Sequence, residues 1–168
     1  MLKVLIPVDA SRNCQFAVKH VIKDFMNNTA MEIHLLNVQV PFNRDIARFV
    51  SRKSRHDYHR DQAEKALRPV RQALDDFGIP YSVHVEVGGR AESITDTARR
   101  LRCDRIVMST ARKNSLTRLV ENSVTNKVIE LTDVPVEIIA GDAISKLERF
   151  GVPAGIGAAL LLLYTVVE

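Results

Sequence analysis

The sequence predicts an α/β fold, an open five-stranded and mostly parallel sheet with helices on both faces. Three observations carry the prediction. Five short runs of β-branched and aliphatic residues recur along the chain, stretches with apolar side chains at helical spacing separate them, and polar residues, glycine or proline mark the junctions. Strands alternating with helices form βαβ units with right-handed crossovers, which place the strands side by side in one sheet covered by helices.

The first strand is the apolar run at 3–8. After it, Asp9 or Ser11 is placed to cap a helix in which Cys14, Ala17, Val21 and Phe25 recur at helical spacing. EIHLLNVQV, residues 32–40, reads as the second strand, and Pro41 ends it. The stretch 44–60 follows, with Arg44, Arg48, Arg52, Lys53, Arg55 and Arg60 against Asp45 and Asp57. It is either a solvated helix or loop face or an anion-binding surface.

From 58 to 77 the positions Ala63, Ala66, Leu67, Val70, Leu74 and Phe77 keep a 3.6-residue period. Pro69 is expected to kink this helix and Gly78 to stop it. YSVHVEV, 81–87, alternates as a third strand, and Gly88 and Gly89 turn the chain into a helix carrying Ala91, Ile94, Ala98 and Leu101 on one face. RIVMST, 105–110, is the fourth strand. Leu116, Val120, Val124, Val128 and Leu131 mark a last helix, and VPVEIIA, 134–140, with Val134 and Ala140 at its ends, is the fifth strand.

At 168 residues the chain has a single-domain length, enough to bury about two-thirds of its unfolded surface. Hydrophobic residues at 46% and charged residues at 26% fit an ordinary globular domain rather than a disordered one. Cys14 and Cys103 stand far apart and in no metal-ligand spacing, so neither a disulfide framework nor a zinc site is expected, and a reduced cytoplasmic setting fits. MLKVLIPV lacks the charged start and cleavage site of a secretory signal. The net charge of +4 favours anionic partners in a general way.

Ligands of open α/β sheets bind beyond the carboxyl ends of the strands, where the strand order reverses. The candidate site therefore comprises 7–11, 37–40, 88–90 and 109–112. The Gly88-Gly89 pair reads as a strand-to-helix turn, because it lacks the pattern of a dinucleotide loop. Enzymatic chemistry is not expected. Asp9, Asp104 and Ser123 can be assembled into a hydrolytic scheme, but no spacing selects them. His56 and His59, three apart, have no third ligand, so no metal is expected, and His34 and His84 lie within strand patterns as structural residues. Cys14, near a helix start, is either a thiol of lowered pKa or a packed one.

The segments VLIPVDAS, EIHLLNVQV, VEVGGRAESITDTARRLRCDRIVMST and SVTNKVIELTDVPVEIIAG, in this order over 1–141, together resemble a universal stress protein domain. The resemblance implies a Rossmann-like, adenine nucleotide alpha hydrolase-like fold and a role in stress response. It also implies adenosine contacts at Asp9 and Val38, phosphate contacts at Ser123 and Val124, and a homodimer formed by crossing of the fifth strands.

In nucleotide-binding members of that family the loop after the fourth strand reads Gly, two residues, Gly, nine residues, Gly, then Ser or Thr. Here STARKNSLTRLVENSV places Ser109, Arg112 and Asn122 at the glycine positions, and Ser123 keeps the hydroxyl. Glycines there allow positive φ and let backbone N–H groups approach phosphate closely. Asn122 is the mildest replacement, whereas the Cβ of Arg112 obstructs close approach even though its guanidinium, beside Lys113, has the chemistry to hold phosphate. The expectation is a non-enzymatic, cytoplasmic stress protein acting through dimerisation and protein association without a competent ATP loop. The alternative is an ATP-binding sensor using Asp9, Val38, Arg112, Lys113, Ser123 and Val124.

An extension at 142–168 is not required by the family domain. Its segment 151–167, GVPAGIGAALLLLYTVV, carries no charged side chain and would measure about 25 Å as a helix, at the lower limit for crossing a bilayer. Gly151, Gly155 and Ala159 suit close helix packing, and Lys146 and Arg149 would suit a cytoplasmic leaflet. Packing on the domain or a partner subunit, membrane attachment and a mobile tail are the three readings.

Overall fold

The apolar run after Met1 forms β1 (Leu2–Pro7), and alternation along it decides the architecture. Val4 and Ile6 point to one face of the sheet and Leu5 to the other, and all three are fully buried. A strand buried on both faces needs helices on both sides. The computed structural model describes residues 1–112 and 124–143.

The chain continues through α1 (Cys14–Asn27), β2 (Met31–Gln39), a one-turn α2 (Arg44–Ala47), α3 (Arg52–Asp75), β3 (Tyr81–Val87), α4 (Arg90–Leu101), β4 (Arg105–Arg112), α5 (Val124–Leu131) and β5 (Val136–Ala143). The strands lie in the order β3-β2-β1-β4-β5, and every neighbouring pair is parallel. This is the expected open α/β sheet.

On one face Cys14, Ala17, Val18 and Val21 of α1 and Ala63, Leu67, Val70 and Leu74 of α3 pack on Val4, Ile6, Ile33, Leu35 and Val107. On the other, Ala91, Ile94 and Ala98 of α4 and Val128 of α5 pack on Leu5, Leu36, Ile106 and Met108. Full burial of each such Leu or Ile side chain stabilises the fold by about 1.5–3 kcal/mol.

Several boundaries differ from expectation. Neither Asp9 nor Ser11 caps α1, which begins at Cys14 after Asn13 and has no side-chain cap. Asp9 instead accepts from the Ser11 amide at 3.1 Å and the Ser11 hydroxyl at 2.6 Å, a local turn that competes with capping. Helix α3 starts at Arg52, well before 58, because Ser51 accepts from the Ser54 amide at 3.0 Å and caps it. It runs unbroken past Pro69, which sits on its exposed side.

Gly78, at φ +62, closes the end of α3. Strand β5 is displaced toward the C-terminus because Thr132 Oγ1 accepts from the Val134 amide at 3.1 Å and holds Val134 in a turn. Among the described residues no helix is long and apolar enough to cross a membrane, and the tail 151–167 lies outside them.

Candidate functional site

Strand order reverses between β1 and β4, and these two strands pair only at Val4–Arg105 and Leu5–Ile106. Beyond that contact they part, and a crevice opens at their carboxyl ends. Its rim is held by hydrogen bonds rather than by packing alone. The Val8 amide donates to the Leu36 carbonyl at 2.7 Å, and the Asn37 side-chain amide donates to the Val8 carbonyl at 2.8 Å. Asn37, 3% exposed, in turn accepts from Gln39 Nε2 at 2.6 Å. The Gln39 carbonyl takes the Gly88 amide at 2.9 Å, linking the ends of β2 and β3.

The crevice forms a pocket of about 130 Å³. Asp9, Val38, Ser109 and Val124, four residues expected at the site, all line it. Arg90, the first residue of α4, adds a cation to the wall. Leu36, Ile94 and Met108 add apolar surface, and Thr125 adds a hydroxyl. These last four were not expected as contacts. Leu36 and Met108 were accessible through strand parity, but Ile94 and Thr125 come from helices whose approach no local spacing reveals.

Arg112 ends β4 opposite Ala143, while Lys113, Asn122 and Ser123 lie outside the described residues. Among the described residues Arg102 is the one non-glycine with positive φ, so Ser109 and Arg112 keep ordinary strand backbone. At Ser109, which lines the pocket, serine in place of the family's glycine therefore brings no backbone strain. Gly88 and Gly89 also have no positive φ. A Cβ on Gly88 would lie 2.8 Å from Ser93 Oγ, which makes this pair a tight strand-to-helix turn, as expected.

Cys14 reaches the pocket wall, but burial pushes its thiol up to about 11, so it is a packed thiol and not an activated one. The hydrolytic grouping does not assemble. Asp104 accepts from the Lys3 amide at 2.6 Å, at the start of β1, whereas Asp9 follows its end. His59 packs against Phe42, and His56 is exposed. His34 and His84 meet across β2 and β3, with Nδ1 and Nε2 3.3 Å apart, a structural contact.

Among the described residues one grouping has metal-ligand chemistry, His20, Asp24 and Glu137, with ligand atoms within 4.8 Å of one another. The guanidinium of Arg105 already stands between its carboxylates, at 2.6 Å from Asp24 and 2.8 Å from Glu137. The positive charge that a cation would bring is in place.

The family model described as the Universal stress protein family matches residues 1–140, the sheet and its helices together. The chain belongs to the universal stress protein family. Among curated relatives it is 27% identical over 143 residues to Universal stress protein MJ0531 of Methanocaldococcus jannaschii, covering 82% of this chain and 81% of the relative. The solved structure of MJ0577, from the same organism, superposes with a TM-score of 0.68 at 27% identity, covering 83% of this chain and 96% of that one. A universal stress protein family protein of Arabidopsis thaliana, solved with AMP bound, shares the fold with a TM-score of 0.61 at 20% identity, covering 85% and 94%.

Proposed function

We propose that this universal stress protein is not an enzyme, acts through self-association and protein association, and lacks a loop competent to hold ATP. The observation that carries the reading is Ser109. It lines the pocket at the position where nucleotide-binding relatives place the first loop glycine, so a Cβ and a hydroxyl are present where those relatives have backbone alone. Arg112 and Asn122 replace the other two glycines. The apolar walls at Val38, Ile94 and Met108 suit an adenine ring or another flat apolar group, so the pocket keeps the nucleoside half of the family site better than the phosphate half.

Association has its own support. Strand β5 is a sheet edge, and Ile138 on it is 42% exposed. An apolar edge strand needs cover, which a second copy supplies by crossing of the two β5 strands. Light scattering should give twice the chain mass at micromolar concentration, and a monomer there contradicts the dimer.

The second reading, an adenine nucleotide sensor, is favoured by Arg90, a cation in the pocket wall able to meet a single phosphate. The AMP held by the Arabidopsis protein makes a monophosphate the form to test. Thermal-shift titrations with ATP and with AMP separate the readings. A ligand at a hundredfold its Kd adds about 2.7 kcal/mol of stability. No shift with ATP supports the first reading, a shift with AMP alone supports the second, and a full shift with ATP overturns the claim of an incompetent loop.

A further inference from the structure

Phe49 is 90% exposed, the most open large apolar side chain among the described residues. Ile46, 53% exposed, precedes it by one turn, and the Phe49 amide donates to the Ile46 carbonyl at 3.1 Å, holding both in one tight bend after β2. The bend is ordered at its start, where Asn43 accepts from the Asp45 amide at 3.3 Å, and at its end, where Ser51 caps α3. It is a built feature with Ile46 and Phe49 open to solvent.

Cations surround the bend. Arg48, Arg52 and Lys53 are exposed, and no carboxylate among the described residues pairs with any of them. Arg60, further along α3, is by contrast engaged by Asp57 and Asp61. Between 44 and 53 the chain has four cationic residues and one acidic one, Asp45. Exposed aromatic and aliphatic tips beside unpaired Lys and Arg have the chemistry of a surface that lies against anionic lipid.

We propose that the bend at 44–53 docks on an anionic lipid surface, with Ile46 and Phe49 entering the boundary between headgroups and acyl chains and Arg48, Arg52 and Lys53 facing the headgroup phosphates and carboxylates. Two features favour lipid over a nucleic acid or an acidic peptide. The second apolar residue of the tip is aliphatic, and so offers no stacking platform for a base. Ile46 and Phe49 also stand open to solvent, whereas a peptide's anchors are gripped in a groove.

The chain has no tryptophan, so Phe49→Trp in the 168-residue chain gives a tryptophan emission signal from this bend alone. Vesicles of phosphatidylcholine with roughly 30% phosphatidylserine should shift that emission to the blue and bind at least about tenfold more tightly than vesicles of phosphatidylcholine alone. Added salt should weaken the binding. The triple variant Arg48→Gln, Arg52→Gln and Lys53→Gln, with wild-type Phe49, should lose the preference for phosphatidylserine in co-sedimentation.

Binding to both vesicle types with unshifted emission overturns the proposal, because the attachment then lies elsewhere in the chain. So does a triple variant that keeps the wild-type preference. Quenching by a single-stranded RNA oligonucleotide with no response to vesicles assigns the bend to nucleic acid instead. A blue shift that grows with protein concentration in the absence of lipid assigns it to contacts between copies.

Discussion

Asn37 holds the carbonyl of Val8 at 2.8 Å, and through that bond the end of β2 fixes the first residue beyond β1. The bond is buried, so it sets both the stability of the crevice and the shape of the candidate site. Replacing Asn37 by Leu leaves the Val8 carbonyl without its side-chain donor and releases Gln39. A buried polar group left unsatisfied costs about 1–3 kcal/mol. Urea unfolding of Asn37→Leu should therefore show a lower midpoint with an unchanged slope. A loss below about 0.5 kcal/mol would mean that the rim is held by packing alone.

His34 and His84 give a pH dependence with a defined sign. Burial lowers the pKa of both rings from the ordinary 6.5. For His34 the charge of Glu32 opposes this while His84 and Lys3 add to it, and for His84 the charge of Arg100 adds to it. The folded rings bind protons less readily than the unfolded chain does, so the contribution is fully present above about pH 6.5 and is lost as pH falls through that value toward the lower folded pKa values. Denaturation measured from about pH 8 to pH 5 should show wild type losing more stability than the His34→Gln, His84→Gln double variant. Parallel curves for the two proteins would remove the pair from the acid response.

Arg105 joins three elements through side chains alone, with Nη2 at 2.6 Å from Asp24 on α1 and Nη1 at 2.8 Å from Glu137 on β5. Its side chain is 21% exposed and those of its partners 30% and 34%, so solvent screens the pairs in part. Arg105→Met should cost about 1–2 kcal/mol in low salt, and the gap from wild type should narrow as salt rises. A salt-independent gap would point to lost packing of the arginine stem.

Helix ends supply a prediction with opposite signs at two positions. A methyl group added at Gly78, where φ is +62, would meet nothing within 4 Å, so Gly78→Ala tests backbone conformation without a clash. It should cost about 1 kcal/mol. Arg102 adopts φ +54 at the end of α4 without being glycine, and Arg102→Gly should gain up to about 1 kcal/mol. Thermal melts that move both variants in the same direction would contradict this account.

The fold was legible because apolar strand runs alternate with stretches of helical spacing along the chain. The structure then places Val4 and Ile6 against Leu5, and Ile33 and Leu35 against Leu36, on opposite faces of a sheet buried on both sides. The start of α3 was hidden, since its first turns are exposed and the apolar period begins only at Ala63. Asp9 misled as a cap because the same carboxylate can close a local turn with Ser11. At the site, the residues following β1, β2 and β4 were accessible from topology. The partners of Arg105 were not, because residues 24, 105 and 137 meet only once the sheet and α1 are assembled.

The purified 168-residue chain, denatured and cleared, would release any tightly held adenine nucleotide into the supernatant for quantification by chromatography. With Ser109 in the pocket and no loop glycines, ATP should be absent or far below one molecule per chain. Recovery of ATP near one per chain would contradict the account and return the protein to the nucleotide-holding members of its family.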